Sequence, residues 1–172
     1  MLTVRARPGS LTDTAARLVT AAGIPSALVD AMPPPRAAAL AGLGDADFES
    51  AFVVPLADLA QTLADLLPLH RRIVLVGSIA GLGDWDAVLS GAFAAGATGL
   101  MRSVALEFMS HGVTINLIAA PSDDPCHALQ VAALASALLA SDGVSGQAVP
   151  CDGGANLRMS RARPRAAPLR EP

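Results

Sequence analysis

At 172 residues the chain has the length of one ordinary domain and enough material for a buried core. It is 52% hydrophobic but only 3% aromatic and has no Tyr, so its packing rests on Ala, Leu and Val, which suits closely spaced layers of helix and sheet. A formal charge of −3 excludes the general attraction to nucleic acid or anionic membrane that a basic surface supplies.

In chain order, Thr3 to Ala6 reads as a short strand, and "PGS" then turns the chain. Leu11 to Ala22 has helical spacing, with Ser10 as N-cap and Gly23 as the stop. Ala27 to Val29, bounded by Pro25 and Asp30, has the profile of a buried strand. "MPPPR" excludes regular structure, because three consecutive prolines carry no donors. Phe48 to Leu67 is apolar at helical spacing and interrupted by Pro55. Arg72 to Val76, "RIVLV", is the clearest strand. A long helix over Ala87 to Ser110 is closed by His111-Gly112. Val113 to Ala119 is a strand, Pro125 to Ser141 a helix stopped by Asp142-Gly143, and Gln147 to Cys151 the last strand. This alternation predicts an α/β domain with a doubly covered parallel sheet of the dinucleotide-binding type, over residues 1–158. The Arg- and Pro-rich segment 159–172 has almost nothing to bury and is expected to be a disordered tail.

Met1 to Pro8 lacks the apolar core of a secretion signal, and the uncharged run Ala87 to Met101 is shorter than a membrane span. The expected address is the cytoplasm, with no membrane and no nucleic acid among the partners. Cys126 and Cys151 are too far apart for a metal clip and read as reduced thiols, and no metal is expected.

Three ordered segments carry a resemblance to the short-chain dehydrogenase/reductase family: "RIVLVGSIAG", "GLMRSVALEFMSHGVTINLIAAP" and "ALLASDGVSGQAVPCDGG". They resemble the family's central strand and serine turn, its interface helix and next strand, and its C-terminal signature. The resemblance covers Thr3 to Gly154 and implies a truncated Rossmann-like, three-layer fold with a mostly parallel sheet. The segment "ARPGSLTD" has only Gly9 where the family has a glycine-rich cofactor loop. The first strand and helix look more like the family's third strand and its helix, so the resemblance implies that the usual first two strands are lacking. The ribose-flanking Asn-Ala-Gly turn falls on "VDAMPP", where Asp30 and Ala31 remain.

The family's catalytic set is Asn, Ser, Tyr and Lys. Here Ser falls on Ser78, while the Tyr position is Gly91, the Lys position Ala95 and the Asn position Pro55. Ser78 alone is expected to be a turn residue bonding nearby backbone. Asp84 and Asp86 read as solvated turn residues, with Asp86 as N-cap, and His70, His111 and His127 as surface or loop histidines. The substrate lid is reduced as well, since Pro121-Ser122 leads almost at once into the next helix.

What the resemblance preserves is the pair of helices that, in the family, join the same helices of a second subunit. Phe93, Gly96, Gly99, Leu100, Val104 and Phe108 are the candidate interface residues. The resulting expectation is a non-catalytic subunit that assembles with an active family member, as a hetero-oligomer (a tetramer in the family pattern), or that self-associates. No cofactor is expected in this chain, with NAD or NADP held by the partner. The alternatives are an active NAD(P)-dependent oxidoreductase completed by a partner's residues, or a decayed pseudoenzyme with no activity.

Overall fold

The computed structural model describes residues 1–19, 23–33, 40–83 and 87–157. Five parallel strands form one sheet in the order β1-β2-β3-β4-β5: β1 Leu2–Arg5, β2 Ser26–Ala31, β3 Arg72–Ser78, β4 Thr114–Ala120 and β5 Ala148–Pro150. Val4, Leu28, Val74 and Asn116 make one row across it. The central strands are apolar at consecutive positions because both their faces are covered.

The helices are α1 Leu11–Ala16, α2 Asp45–Phe48, α3 Val54–Leu66, α4 Val88–Phe108 and α5 Ala128–Ala140. On one face, α3 (Leu59, Leu63, Leu66) and α4 (Phe93, Ala97, Met101) cover Val29, Leu75 and Leu117. On the other, α1 (Leu11, Ala15) and α5 (Val131, Ala135, Leu139) cover Leu28, Val76 and Ile118. The three-layer α/β reading therefore holds, with a sheet that is entirely parallel.

Local chemistry explains the boundaries. Ser10 caps α1 by accepting from Asp13 N at 3.2 Å, as its position suggested. Gly112 at φ +69° ends the turn Met109–His111 that follows α4. Pro55 does not interrupt its helix. A wider π-helical turn over Glu49–Val53 connects α2 to α3, and Pro55 stands in the first turn of α3, where its missing N–H costs little. Asn116, buried in β4, donates to Val144 O at 2.8 Å and accepts from Gln147 N at 3.1 Å. Those bonds fix the segment that enters the three-residue edge strand β5. Residues 159–172, expected to be a tail, lie outside the described residues.

The place of β1 in the sheet differs from the one the sequence suggested. In the dinucleotide-binding order 3-2-1-4-5-6, strand 4 lies beside strand 1. Here β2, followed by the remnant ribose turn, has β1 as its parallel neighbour. So β1 occupies the place of a first strand, not a third, and the sheet stops where strands 2 and 3 would follow. Handedness supports this assignment. The strands are laid down in one direction, yet α1 and α5 lie on the face opposite α3 and α4. The connections through α1 and α5 therefore have the opposite hand from those through α3 and α4, whereas right-handed connections are the rule. If α1 led outward, away from β2, the same helix position would have the usual hand.

Candidate functional site

In open parallel sheets the working crevice lies outside the carboxyl ends of the strands. Ser78 ends β3 there and caps a tight turn, Ile79–Leu82, by accepting from Ala80 N at 3.1 Å. This is the backbone-bonding role expected for it. The turn lies hard against the start of α4. A Cβ at Gly91 would stand 3.1 Å from Ala80 O, and one at Gly81 would stand 3.2 Å from Ala94 C and Ala95 N. Glycine at both positions allows this approach. A side chain at the family's Tyr position would therefore crowd the backbone of this turn. Ala95, at the Lys position, is exposed and lines a 350 Å³ cleft with Ser78. Pro55, at the Asn position, lines a different 560 Å³ cleft with Arg7 and Asp30. Ser78 and Ala95 thus share a cleft, while Pro55 does not join them. Asp84 and Asp86 lie outside the described residues, and the residue at the cap of α4 is Ala87, whose side chain makes no cap bond.

The turn from β1 into α1 carries a network that sequence reasoning missed. Arg7 Nε donates to Asp30 at 3.0 Å, and its Nη2 donates to Asp123 at 2.9 Å. The second carboxylate oxygen of Asp123 accepts from Leu11 N at 3.0 Å, and Asp13 accepts from Gly9 N at 3.0 Å. Partial burial opposes the Arg7 charge, but the bond and charge of Asp30, helped by Asp123, outweigh it and raise the pKa. The bond from Gly9 N, aided by Arg17, holds Asp13 below its ordinary value. Two of the donors that a dinucleotide pyrophosphate would use at such a turn, Gly9 N and Leu11 N, thus already have carboxylate partners. A phosphate there would also meet the negative charges of Asp13, Asp30 and Asp123. These residues do not fit a nucleotide cofactor. A signal existed in the arginine and acidic residues of "RPGSLTD" and "PSDD", but their pairing depends on the fold.

The two cysteines are not activated. Asp124 bonding raises the pKa of the Cys126 thiol, and burial followed by Asp152 raises that of Cys151, so neither is an activated nucleophile. Among the described residues no cluster of His, Cys, Asp or Glu could hold a metal. His111 is exposed, whereas His70 is not the surface residue expected. It is only 5% exposed, and its Nδ1 has no partner among the described residues. Only Pro121–Asp124 separate β4 from the helical turn at Pro125, so little remains of a lid.

The interface candidates divide. Phe93 at 3% and Val104 at 8% exposure are packed in the chain's own core. A Cβ at Gly96 would stand 3.2 Å from both Phe52 and Leu56, so this glycine faces the neighbouring helix rather than outward. Phe93 and Val104 are thus used by the chain's own core, and half-buried Gly96 by the approach of α4 to Phe52 and Leu56. Leu100 and Phe108 are half-buried, and Gly99 faces open space. The exposed apolar side chains of this layer include Val53, Val54, Leu106 and Met109. The segment Val88–His111 is long and apolar enough to cross a membrane by length and composition alone, and here it packs as the main helix of the core.

Solved structures share this arrangement. Levodione reductase superposes with a TM-score of 0.69 at 20% identity, covering 78% of this chain and 67% of that one. The NADH-dependent enoyl-[acyl-carrier-protein] reductase of Aquifex aeolicus VF5 gives 0.63 at 19% identity, covering 76% and 62%. The chain therefore spans about two thirds of the length of these reductases. At such identities the likeness is one of fold, and that fold is the Rossmann-like one of short-chain dehydrogenases/reductases. No family model matches the chain, and no curated protein matches it.

Proposed function

We propose that this chain is a non-catalytic, short-chain dehydrogenase/reductase-like subunit that assembles with and stabilises an active NAD(P)-dependent partner in the cytoplasm. The observation that carries this reading is Gly91. At the position of the proton-donating Tyr stands a glycine whose Cβ would lie only 3.1 Å from Ala80 O, so a side chain there requires the backbone to give. The carboxylates on the β1–α1 turn support it, since Asp13 and Asp123 occupy the Gly9 and Leu11 donors and add negative charge there. In the assembly the nicotinamide cofactor belongs to the partner. What this chain contributes is an ordered α3–α4 layer with exposed apolar residues, among them Leu106 at 73%.

Co-expression with an active family member from the same source tests this. The expected result is a mixed oligomer by light scattering, in which the partner melts at a higher temperature than alone. A monodisperse monomer that leaves the partner's activity and melting temperature unchanged would end the subunit reading.

A further inference from the structure

The cleft beside α4 raises a question separate from turnover. Ala95, Thr98 and Arg102 share one face of α4, and this face looks across the sheet to Ala119, Ala148 and Pro150. At 350 Å³ the cleft falls within the usual range of small-molecule sites, about 300–1,000 Å³. Its polar groups are few. Ser78 accepts from Ala80 N, which leaves its hydroxyl proton uncommitted. Thr98 gives its proton to Ala94 O. Arg102 makes no ion pair or hydrogen bond among the described residues. Among the described residues no carboxylate lines the cleft. An unpaired guanidinium and a hydroxyl with a proton to give thus line the same largely apolar cleft, with no acid among the described residues of its lining. The larger groove between α3 and α4 lacks this character, because Glu107 stands in it and Arg71 donates to the His111 carbonyl.

We propose that this cleft binds a short aliphatic carboxylate, with its anionic end on Arg102 and its apolar body against Ala119, Ala148 and Pro150. The Ser78 hydroxyl donates to a ligand oxygen, and no bond is made or broken. The site requires neither partner nor nucleotide, so it goes beyond the subunit reading and stands or falls separately. A monocarboxylate suits it because one cation and one neutral donor match a single anionic group, which an arginine fork can bind through two parallel bonds.

The test is a titration of the purified full chain with sodium butyrate, followed by amide NMR shifts and calorimetry, with butyramide as the uncharged control. Saturable one-to-one binding of butyrate is expected, with butyramide at least tenfold weaker. Arg102→Gln should weaken butyrate by about tenfold or more, the usual scale for losing a charge-assisted bond. Arg102 also borders a second cleft at Ser145–Gln147. Gly99→Leu separates the two, because Gly99 lines the Ser78 cleft and not the second one, and a Cβ there meets nothing within 4 Å. It should abolish binding. Arg5→Gln, which removes another unpaired arginine far from the cleft, should change nothing. The proposal is overturned if shifts do not saturate, if butyramide binds equally, or if Arg102→Gln binds like wild type. Equal weakening by Arg5→Gln would also overturn it, by showing that only net charge matters. Circular dichroism checks the fold of each variant, and Arg102→Gln, on an exposed helix face, decides the matter should Gly99→Leu unfold.

Discussion

Two glycines on α4 allow the closure at the Tyr position to be weighed. Gly91→Ala and Gly99→Ala make the same chemical change on the same helix, and each gains helix propensity, worth about 1 kcal/mol at an interior position and somewhat less in the first turn. Their surroundings differ. The new methyl at position 99 enters open space, whereas at position 91 it would stand 3.1 Å from Ala80 O. That oxygen belongs to backbone, and Ala80 is itself held by Ser78. The neighbour must therefore give by a few tenths of an ångström, or the helix must shift, and such overpacking costs roughly 1–3 kcal/mol. Gly99→Ala should accordingly stabilise by up to about 1 kcal/mol, and Gly91→Ala should be neutral to destabilising by about 2 kcal/mol. The gap between the two, measured by urea unfolding at unchanged m-value, reads the closure directly. Equal stability of the two variants would refute the argument that backbone fills the Tyr position.

The triple replacement Pro55→Asn, Gly91→Tyr and Ala95→Lys should unfold more readily than wild type and show no carbonyl reduction without a partner, measured by nicotinamide absorbance; turnover would reveal an overlooked nucleotide site. The wild-type chain alone should show no micromolar affinity for NAD(H) or NADP(H) in calorimetry, given the carboxylates on the β1–α1 turn. Asp123→Ala should lower stability by about 2 kcal/mol through loss of the Leu11 N bond, and Asp123→Asn by less than half of that, since the pair with Arg7 is solvent-screened and worth at most about 1 kcal/mol; comparable melting points for the two would contradict this division. Burial, helped by the Met1 ammonium, lowers the His70 pKa from 6.5, so the unfolded chain binds the extra proton first as pH falls. Stability from this site should be full above about pH 6.5 and decline as pH falls toward the folded value, and a His70→Leu variant should lose that dependence in urea titrations from about pH 7.5 to 5.

The fold was legible because its strongest elements obey local rules. "RIVLV" and "VTINLIA" are apolar at consecutive positions, as strands covered on both faces must be, and glycines or a serine cap mark the helix ends. The serine turn and its loss of Tyr and Lys could be counted from Ser78 without knowing the structure. Other features depend on distant residues. Which face of α4 points outward could not be read, because small and large apolar residues surround the helix and only the position of Phe52 and Leu56 turns Gly96 inward. His70 looked like a loop residue because it follows Pro68 and precedes two arginines, yet its side chain is covered at the amino end of the sheet. The Arg7–Asp123 pair joins residues more than a hundred positions apart, and no local pattern announces it.

The place of β1 bears on what the fold retains. A nucleotide-binding half needs strands on both sides of the first strand, because its crevice opens where the strand order reverses. With β1 at the edge of a sheet that runs in one direction, the described residues show no reversal and no crevice of that kind. The opposite hand of the α1 connection indicates how the fold accommodates the loss: α1 keeps the face it would have in the longer sheet, while the chain leads back to β2. The Asp123 carboxylate then joins the β1–α1 turn to the loop after β4, across the face that α1 and α5 share. On the other face nothing comparable has changed, since α3 and α4 cover β2, β3 and β4 without using strands 2 or 3. The layer that would hold a cofactor and the layer that would hold a partner therefore rest on different parts of the sheet. One layer can thus change without disturbing the other, which is the physical condition that the proposed subunit role requires.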